Sequence, residues 1–138
     1  MSKTVAVIGA GGKMGARAAQ KIGFSETNRV LLCESNAGRA QALRDSGLEV
    51  TPLETAMAAS DFVVMAVPDA LIGTIARQVT PLMKAGGTLI MLDAAAAYAG
   101  ELPAAPGITQ MITHPCHPPF FTEQATPEAR RDYFGGVA

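Results

Sequence analysis

The stretch THPCHPPFF at 113–121 carries the densest set of reactive side chains in this sequence. It contains both histidines of the chain, His114 and His117, and one of its two cysteines, Cys116. Histidine changes its charge near neutral pH, and histidine and cysteine both bind metals. Prolines alternate with these residues and stiffen the backbone. A metal site, a catalytic histidine and a rigid structural turn are therefore the three interpretations to compare.

The residues themselves favour a catalytic histidine. A catalytic zinc site needs at least three protein ligands, and three candidates crowded into four residues between prolines converge on one ion with difficulty. We therefore predict no metal ligand, although prolines alone also explain a structural turn. His114 ends a predicted strand, where it can take or give the proton of a substrate hydroxyl. His117 would support it or bind substrate from the turn.

A second feature is the glycine loop VAVIGAGGKMG, which joins the first predicted strand to the first predicted helix. Its glycines follow the spacing G-x-x-G-x-x-G at Gly9, Gly12 and Gly15. Missing side chains let a backbone approach a pyrophosphate, and the helix N-terminus offers N–H groups to it. A tight structural turn is the alternative. The residues predicted to hold the pyrophosphate are Gly9, Gly12, Lys13 and Met14.

Glu34 ends the second predicted strand, 19 residues after Gly15. In dinucleotide-binding folds an acid near this distance binds the ribose hydroxyls of adenosine. Its charge repels a 2′-phosphate, so the predicted cofactor is NAD rather than NADP. Arg39 follows closely and could still serve a phosphate, and a solvated strand-end glutamate is the alternative role for Glu34.

The sequence AVPD ends the fourth apolar segment. Val67 and Pro68 are predicted to flank the nicotinamide half of the cofactor, because ligands bind at the carboxyl ends of parallel strands. Asp69 is predicted to cap the next helix or to contact the ligand, since aspartate is a favoured N-cap.

Short apolar segments alternate with segments of helical spacing along the chain, which predicts an α/β, Rossmann-type doubly wound parallel sheet of at least five strands. Thr51, Pro52 and Glu54 predict a capping box at the start of the third helix. Residues 94–107 are predicted to be a connection over the carboxyl edge of the sheet. The predicted strands are 4–10, 29–34, 48–51, 61–67, 87–93 and 107–114.

The composition excludes several classes of protein. The 138 residues are 49% apolar and 17% charged with a net charge of -1, as in a globular domain without a basic surface for nucleic acid. The apolar N-terminal run is too short to span a membrane. Cys33 and Cys116 form no disulfide framework, so a cytoplasmic location is predicted.

Four motifs together resemble a known superfamily: GAGGKMG, AVPD, LDAAAAYAGELP and HPCHPPFF. Over about 1–118 the chain resembles the nucleotide-binding domain of 6-phosphogluconate and β-hydroxyacid dehydrogenases. THP at 113–115 is similar to the strand-end His-Pro of prephenate dehydrogenases. The combination is also similar to a narrower group of phosphogluconate-dehydrogenase-like and semialdehyde-dehydrogenase-like NAD-binding proteins, some of which act on the sugar acid apionate.

The resemblance implies an NAD-dependent oxidoreductase that transfers hydride to or from a small hydroxy or sugar acid. It implies a binding domain at 1–118 and a connection at 119–138 to a helical substrate and dimerisation domain beyond this chain, through which the protein would form a homo-oligomer. Three departures matter: alanines follow Asp93 where prephenate dehydrogenases carry a serine or threonine, CHPP replaces a glycine, and the chain is expected to be truncated before the helical second domain. A non-catalytic NAD-binding module and a dihydrodipicolinate-reductase-like reductase, which the GAGGKMG loop also resembles, remain alternatives.

Overall fold

The computed structural model describes residues 2–23, 25, 27–114 and 126–127. All strand pairings between its five strands are parallel, and the spatial order is β2-β1-β3-β4-β5. The α/β, Rossmann-type sheet predicted from the sequence is therefore confirmed. The strands are β1 (Lys3–Ile8), β2 (Asn28–Cys33), β3 (Phe62–Met65), β4 (Thr88–Met91) and β5 (Thr109–Ile112); the helices are α1 (Lys13–Gly23), α2 (Ala37–Asp45), α3 (Leu53–Ala59), α4 (Asp69–Val79) and α5 (Ala95–Tyr98).

Helices cover both faces of this sheet. Along β1, Val5 and Val7 belong to the core cluster that includes residues of α1 and α2. Ala6 and Ile8 belong to the cluster that includes residues of α3, α4 and α5. Successive side chains of a strand point to opposite faces, so a strand covered on both sides must be apolar at every position. This explains the nearly continuous apolar runs in the sequence.

The chain reverses its direction of travel across the sheet at β1, which lies between β2 and β3. Helix α1 leaves β1 on one face, and α4 leaves β3 on the other. The two connections diverge and open a crevice between the carboxyl ends of β1 and β3, where ligands bind in open α/β sheets. The strand ends beside the crevice remain joined, because the Ala66 amide donates to the Ile8 carbonyl at 2.9 Å.

The strand predicted at 48–51 is wrong as an extended element. It is reduced to one parallel bridge between Leu32 and Val50, with the Thr51 amide donating to the Leu32 carbonyl at 2.7 Å. Gly47, with φ of 80°, turns the chain just before this segment. Pro52 has no N–H to continue a ladder just after it. Too few residues remain between the turn and the proline for a strand.

The N-caps predicted at Thr51 and Asp69 are also wrong. Helices α3 and α4 each have a proline, Pro52 or Pro68, at the N-cap position, and neither cap has a side-chain hydrogen bond. The first helical turns contain the acids Glu54 and Asp69. A carboxylate there interacts favourably with the helix dipole without forming the predicted cap.

The connection at 94–107 starts at the carboxyl edge, as predicted, with the short helix α5, and then packs alongside α4. Arg77 donates from Nη1 to the Glu101 carbonyl at 2.7 Å, and the backbone of Gly73 lies against Glu101. Among the described residues, no helix has the length and apolarity required to span a bilayer.

At the opposite, amino edge of the sheet, Asp61 joins two strands. Its Oδ2 accepts the Thr4 amide at 2.8 Å, and its own amide donates to the Thr4 carbonyl at 2.8 Å. Its Oδ1 lies 2.9 Å from Lys84 Nζ. These hydrogen bonds, from the Thr4 amide first and then from Lys84, lower the pKa of Asp61 below its ordinary value of 3.8.

Candidate functional site

A continuous cleft follows the carboxyl edge of the sheet. It consists of two adjoining cavities of about 490 and 420 Å³. The first lies beside β2 and the second beside β4 and β5. Four residues line both cavities and mark their junction: Arg39, Ala66, Val67 and Pro68. A cleft with two compartments suits a ligand with two halves, such as a dinucleotide.

The glycine loop lines both cavities, and its neighbours leave no space for side chains at Gly9 and Gly15. Gly9 has φ of 79°, and a Cβ atom on it would lie 2.4 Å from the Ala66 carbonyl oxygen. A Cβ atom on Gly15 would lie 2.0 Å from the Gly9 carbonyl oxygen. The loop, α1 and the end of β3 therefore approach each other at backbone distance. This is the cradle that a pyrophosphate requires, so the residues present fit a bound dinucleotide.

Helix α1 points its N-terminus into the second cavity, which Gly12, Lys13 and Met14 line. The first intrahelical bond runs from the Ala16 amide to the Gly12 carbonyl at 2.9 Å. The N–H groups of the first turn have no acceptor within the helix, and the helix dipole is positive there. Three of the four residues predicted to hold the pyrophosphate thus lie at a helix N-terminus, where the dipole favours an anion.

Glu34 is fixed beside this loop by two backbone amides. Its Oε2 accepts the Gly11 amide at 2.9 Å, and its Oε1 accepts the Asn36 amide at 2.9 Å. An ionised carboxylate offers about four acceptor positions, so each oxygen retains one for a ligand hydroxyl. The half-buried side chain lines the first cavity. The carboxylate therefore presents negative charge and open acceptor positions beside the first cavity.

Arg39 belongs to α2, and its side chain extends across the glycine loop. Its Cβ is 2.7 Å from the ideal Cβ position of Gly11, and its Nη1 is 4.0 Å from that of Gly12. Arg39 thus lines both cavities and reaches the middle of the cleft. A cation there complements phosphate oxygens. Any side chain on Gly11 would displace either Arg39 or Glu34, whose Oε2 is 2.9 Å from the same position.

His114 and Asp93 lie together in the second cavity. Nδ1 of His114 is 3.7 Å from Oδ2 of Asp93, and Oδ1 of Asp93 accepts the Ala95 amide at 2.6 Å. Leu92 and Ile72 supply apolar walls. The cavity therefore combines a proton-exchanging side chain and a carboxylate with apolar surface, at the end of the cleft farthest from Glu34.

Cys33 lines the first cavity but has no reactive character. Burial raises the pKa of its thiol to about 11, with a further contribution from the nearby charge of Glu54. The thiol is therefore protonated near neutral pH and packs as a small apolar side chain.

The structure brings all eight predicted site residues to this one cleft: Gly9, Gly12, Lys13, Met14, Glu34, Val67, Pro68 and His114. Sequence reasoning missed Asp93 as a site residue and Gly11 as the partner of Glu34. Asp93 could have been found from strand register, since it follows β4 by as many residues as His114 follows β5. Cys116 and His117 lie outside the described residues, and within the described part no three His, Cys, Asp or Glu side chains gather as a metal site.

Comparison with known proteins gives consistent results. Residues 1–116 match the family profile of the acetohydroxy acid isomeroreductase NADPH-binding domain. The chain is 44% identical over 138 residues to D-apionate oxidoisomerase from Cupriavidus necator, covering all of this chain and 50% of that protein. The chain spans about half the length of the curated relatives it matches.

Two solved structures share both fold and sequence. A semialdehyde dehydrogenase NAD-binding protein from Cupriavidus necator, in complex with calcium and NAD, superposes with a TM-score of 0.84 at 45% identity. A putative oxidoreductase from Jannaschia sp. CCS1 has a TM-score of 0.86 at 41% identity. In each case the similarity covers 100% of this chain and 50% of the other. These similarities confirm the resemblance to semialdehyde-dehydrogenase-like and apionate-directed NAD-binding proteins.

Proposed function

Because this chain belongs to the acetohydroxy acid isomeroreductase NADPH-binding domain family, we propose that it is the dinucleotide-binding part of an NAD-dependent oxidoreductase acting on a small hydroxy or sugar acid. Residues 1–118 form the binding domain in this proposal, and 119–138 lead to a substrate and dimerisation domain. The observation that carries it is the two-compartment cleft, with Glu34 at one end, the glycine loop in the middle and His114 at the other end.

A sugar acid is the proposed substrate class, and hydride transfer coupled to isomerisation is the proposed reaction. Support comes from relatives named D-apionate oxidoisomerase at 39–47% identity. The family itself is named for an isomeroreductase, which also joins isomerisation to a redox step. A simple dehydrogenase reaction, with hydride transfer but no isomerisation, is the alternative within this proposal.

The nicotinamide supplies the hydride acceptor or donor, and this chain's residues orient it and manage the proton. The amides at the start of α1 and the Arg39 guanidinium would hold the pyrophosphate. Val67 and Pro68 would bound the nicotinamide half. His114 would take the proton from the substrate hydroxyl oxygen as hydride leaves the carbon that carries this hydroxyl. In the reverse direction it would return the proton.

We propose NAD rather than NADP as the cofactor, although the family is named for NADPH. Family profiles describe the whole family, whereas Glu34 is this chain's own residue beside the first cavity. Its carboxylate can accept ribose hydroxyls and would repel a 2′-phosphate.

Calorimetry of the full-length protein with both dinucleotides tests this preference. We expect NAD to bind at least about tenfold more tightly than NADP, equivalent to about 1.4 kcal/mol. Glu34→Gln should weaken NAD binding and narrow the difference, because it removes the charge but keeps the size. Glu49→Gln, an exposed residue that does not line the cleft, is the matched control. Equal or tighter binding of NADP by the wild type would overturn the assignment of Glu34.

The His114 assignment is tested by turnover. His114→Ala in the full-length protein, assayed with D-apionate and NAD, should lower kcat about 10²- to 10⁴-fold, the range for general acid–base catalysis. NAD affinity should hardly change, because the nucleotide is held by the glycine loop and Glu34. Turnover near the wild-type value in a folded variant would show that His114 is not the acid or base.

A non-catalytic binding module and a cyclic-imine reductase make different predictions in the same assay. The module predicts NAD binding without reduced nicotinamide being formed with any sugar acid. The reductase predicts oxidation of reduced nicotinamide by a cyclic imine acid. Formation of reduced nicotinamide from NAD and a sugar acid would exclude both.

A further inference from the structure

We propose that Asp93 is a positioning residue that orients the His114 imidazole for proton transfer. The inference rests on the proposed function, because it concerns the same acid–base histidine. It adds a second residue, from a different strand, to the reacting end of the cleft.

Strand register brings the two residues together. Strands β4 and β5 are parallel neighbours, and Met91 pairs with Ile112 at the end of the ladder. The Thr113 amide donates to the Met91 carbonyl at 2.9 Å, which continues the pairing past the strand ends. Asp93 and His114 each lie two residues beyond the Met91–Ile112 pair. Side chains two residues apart point to the same side of a strand, and paired strands lie about 4.8 Å apart.

The carboxylate of Asp93 is held in a fixed orientation. Oδ1 accepts the Ala95 amide at 2.6 Å, an Asx-type turn that starts α5. This bond leaves Oδ2 facing His114, with 3.7 Å between Oδ2 and Nδ1. One oxygen therefore anchors the side chain to the backbone, and the other is presented to the imidazole.

The two side chains differ in their freedom to move. The His114 side chain is 73% exposed, whereas that of Asp93 is 26% exposed. The imidazole can rotate toward the anchored carboxylate, and catalytic hydrogen bonds are often long before substrate binds. The charged residues around the same cavity are Lys13, Arg39, Asp69, Asp93 and His114, and the Asp93 carboxylate lies within ion-pair distance of the imidazole.

A contact at Nδ1 of the imidazole determines whether the other ring nitrogen, Nε2, carries a proton or a lone pair. A carboxylate accepts a hydrogen bond from Nδ1–H and thereby favours the tautomer in which Nε2 carries the lone pair. Nε2 is then the atom that takes the hydroxyl proton from substrate. The same division of roles operates wherever an acid orients a catalytic histidine.

A structural role for Asp93 as the start of α5 makes a different prediction. Asparagine and serine can also accept the Ala95 amide through a side-chain oxygen. Asp93→Asn and Asp93→Ser therefore preserve the turn while removing the charge that faces His114. If Asp93 only starts the helix, both variants should be as active as the wild type.

A double-mutant cycle in the full-length protein separates these roles. Asp93→Asn, Asp93→Ser, His114→Ala and the Asp93→Asn/His114→Ala double variant are assayed for kcat, KM, NAD affinity and thermal unfolding. Asp45→Asn is the charge-matched control, because Asp45 lies on exposed α2 and bonds to Gln41 outside the cleft.

We expect Asp93→Asn and Asp93→Ser to lower kcat about 10- to 100-fold, less than loss of the histidine itself. NAD affinity and melting temperature should stay close to those of the wild type. In the His114→Ala background, Asp93→Asn should change kcat by less than about twofold, because residues acting through one another are not additive.

The failures are distinguishable. Wild-type kcat in the folded Asp93 variants, or full additivity with His114→Ala, overturns the positioning role while leaving His114 as the acid–base residue. Wild-type kcat in His114→Ala overturns the proposed function of His114 itself and the inference with it. Loss of folding in both Asp93 variants overturns the inference in favour of the structural role.

Discussion

The two edges of the sheet use carboxylates in different ways. At the amino edge, one oxygen of Asp61 accepts a hydrogen bond from the Thr4 amide and the other pairs with the Lys84 ammonium. Both oxygens therefore stabilise the fold. At the carboxyl edge, Glu34 accepts two amides but also lines a cavity. Both acids are positioned by backbone N–H groups. The difference teaches that a site carboxylate is recognised by the space beside it and not by its hydrogen bonds alone.

Glycines show the same contrast between the edges. Gly9 and Gly15 lie at the carboxyl edge, where a Cβ atom would meet backbone at 2.4 and 2.0 Å. Gly86 precedes β4 at the amino edge with φ of 81°, and an added Cβ would meet nothing within 4 Å. The first pair is needed for close approach of chain segments, whereas Gly86 is needed only for its backbone angle.

Gly15→Ala is the variant expected to have the largest effect and tests the role of the glycines at the carboxyl edge. Its Cβ would overlap the Gly9 carbonyl, so α1 would have to move away from the loop. We expect the free energy of unfolding to fall by about 3 kcal/mol, at the upper end for overpacking. NAD affinity should fall by more than about 100-fold, because the helix end would leave the position proposed for the pyrophosphate. Denaturant unfolding and calorimetry of the full-length protein measure both.

Gly86→Ala is the matched control from the other edge. The added methyl group has space, so the cost is that of a positive φ in an L-residue, about 1 kcal/mol. NAD affinity should be unchanged. An equal loss of NAD affinity in both variants would show that the loop geometry at the carboxyl edge has no special role.

The fold was predictable because its signals are local. Six apolar runs predict strands of a parallel sheet, and five of the six are present, the run at 48–51 being the exception. The errors came from prolines. Pro52 and Pro68 take the cap positions assigned by sequence to Thr51 and Asp69, because residue preferences at caps do not show how the chain enters a helix. Pro52 also leaves Val50 with a single bridge.

The cleft was predictable where one motif supplies several contacts, as at the glycine loop. It was less predictable where residues far apart in sequence meet. The pairing of Glu34 with the Gly11 amide joins residues 23 positions apart. The pairing of Asp93 with His114 depends on the register of two strands separated by a connection that contains α5. Composition and motif spacing do not reveal the register between strands. Such residue pairs can therefore be identified only once the sheet is known.

A smaller effect is expected when the structural carboxylate is neutralised. Asp61→Asn keeps the size of the side chain but removes the charge beside Lys84. Because both side chains are partly exposed, at 40% and 29%, solvent screens the pair and the loss of stability should be modest. NAD affinity should be unchanged, since Asp61 lies at the edge opposite the cleft. Thermal unfolding and calorimetry of the two proteins measure these quantities, and a loss of NAD affinity would contradict the separation of the edges.

The pH dependence of that small effect follows from the direction of the pKa shift. The folded protein holds the pKa of Asp61 below 3.8, so the unfolded state binds a proton more readily. The stability that ionised Asp61 contributes is therefore fully present above about pH 4 and disappears as pH falls through its folded-state pKa. The difference in melting temperature between wild type and Asp61→Asn should be constant from neutral pH down to about pH 5 and should shrink at lower pH. A difference that grows on acidification would show that Asp61 is not stabilised in its charged form, and the amino edge would then lack the carboxylate anchor that distinguishes it from the cleft.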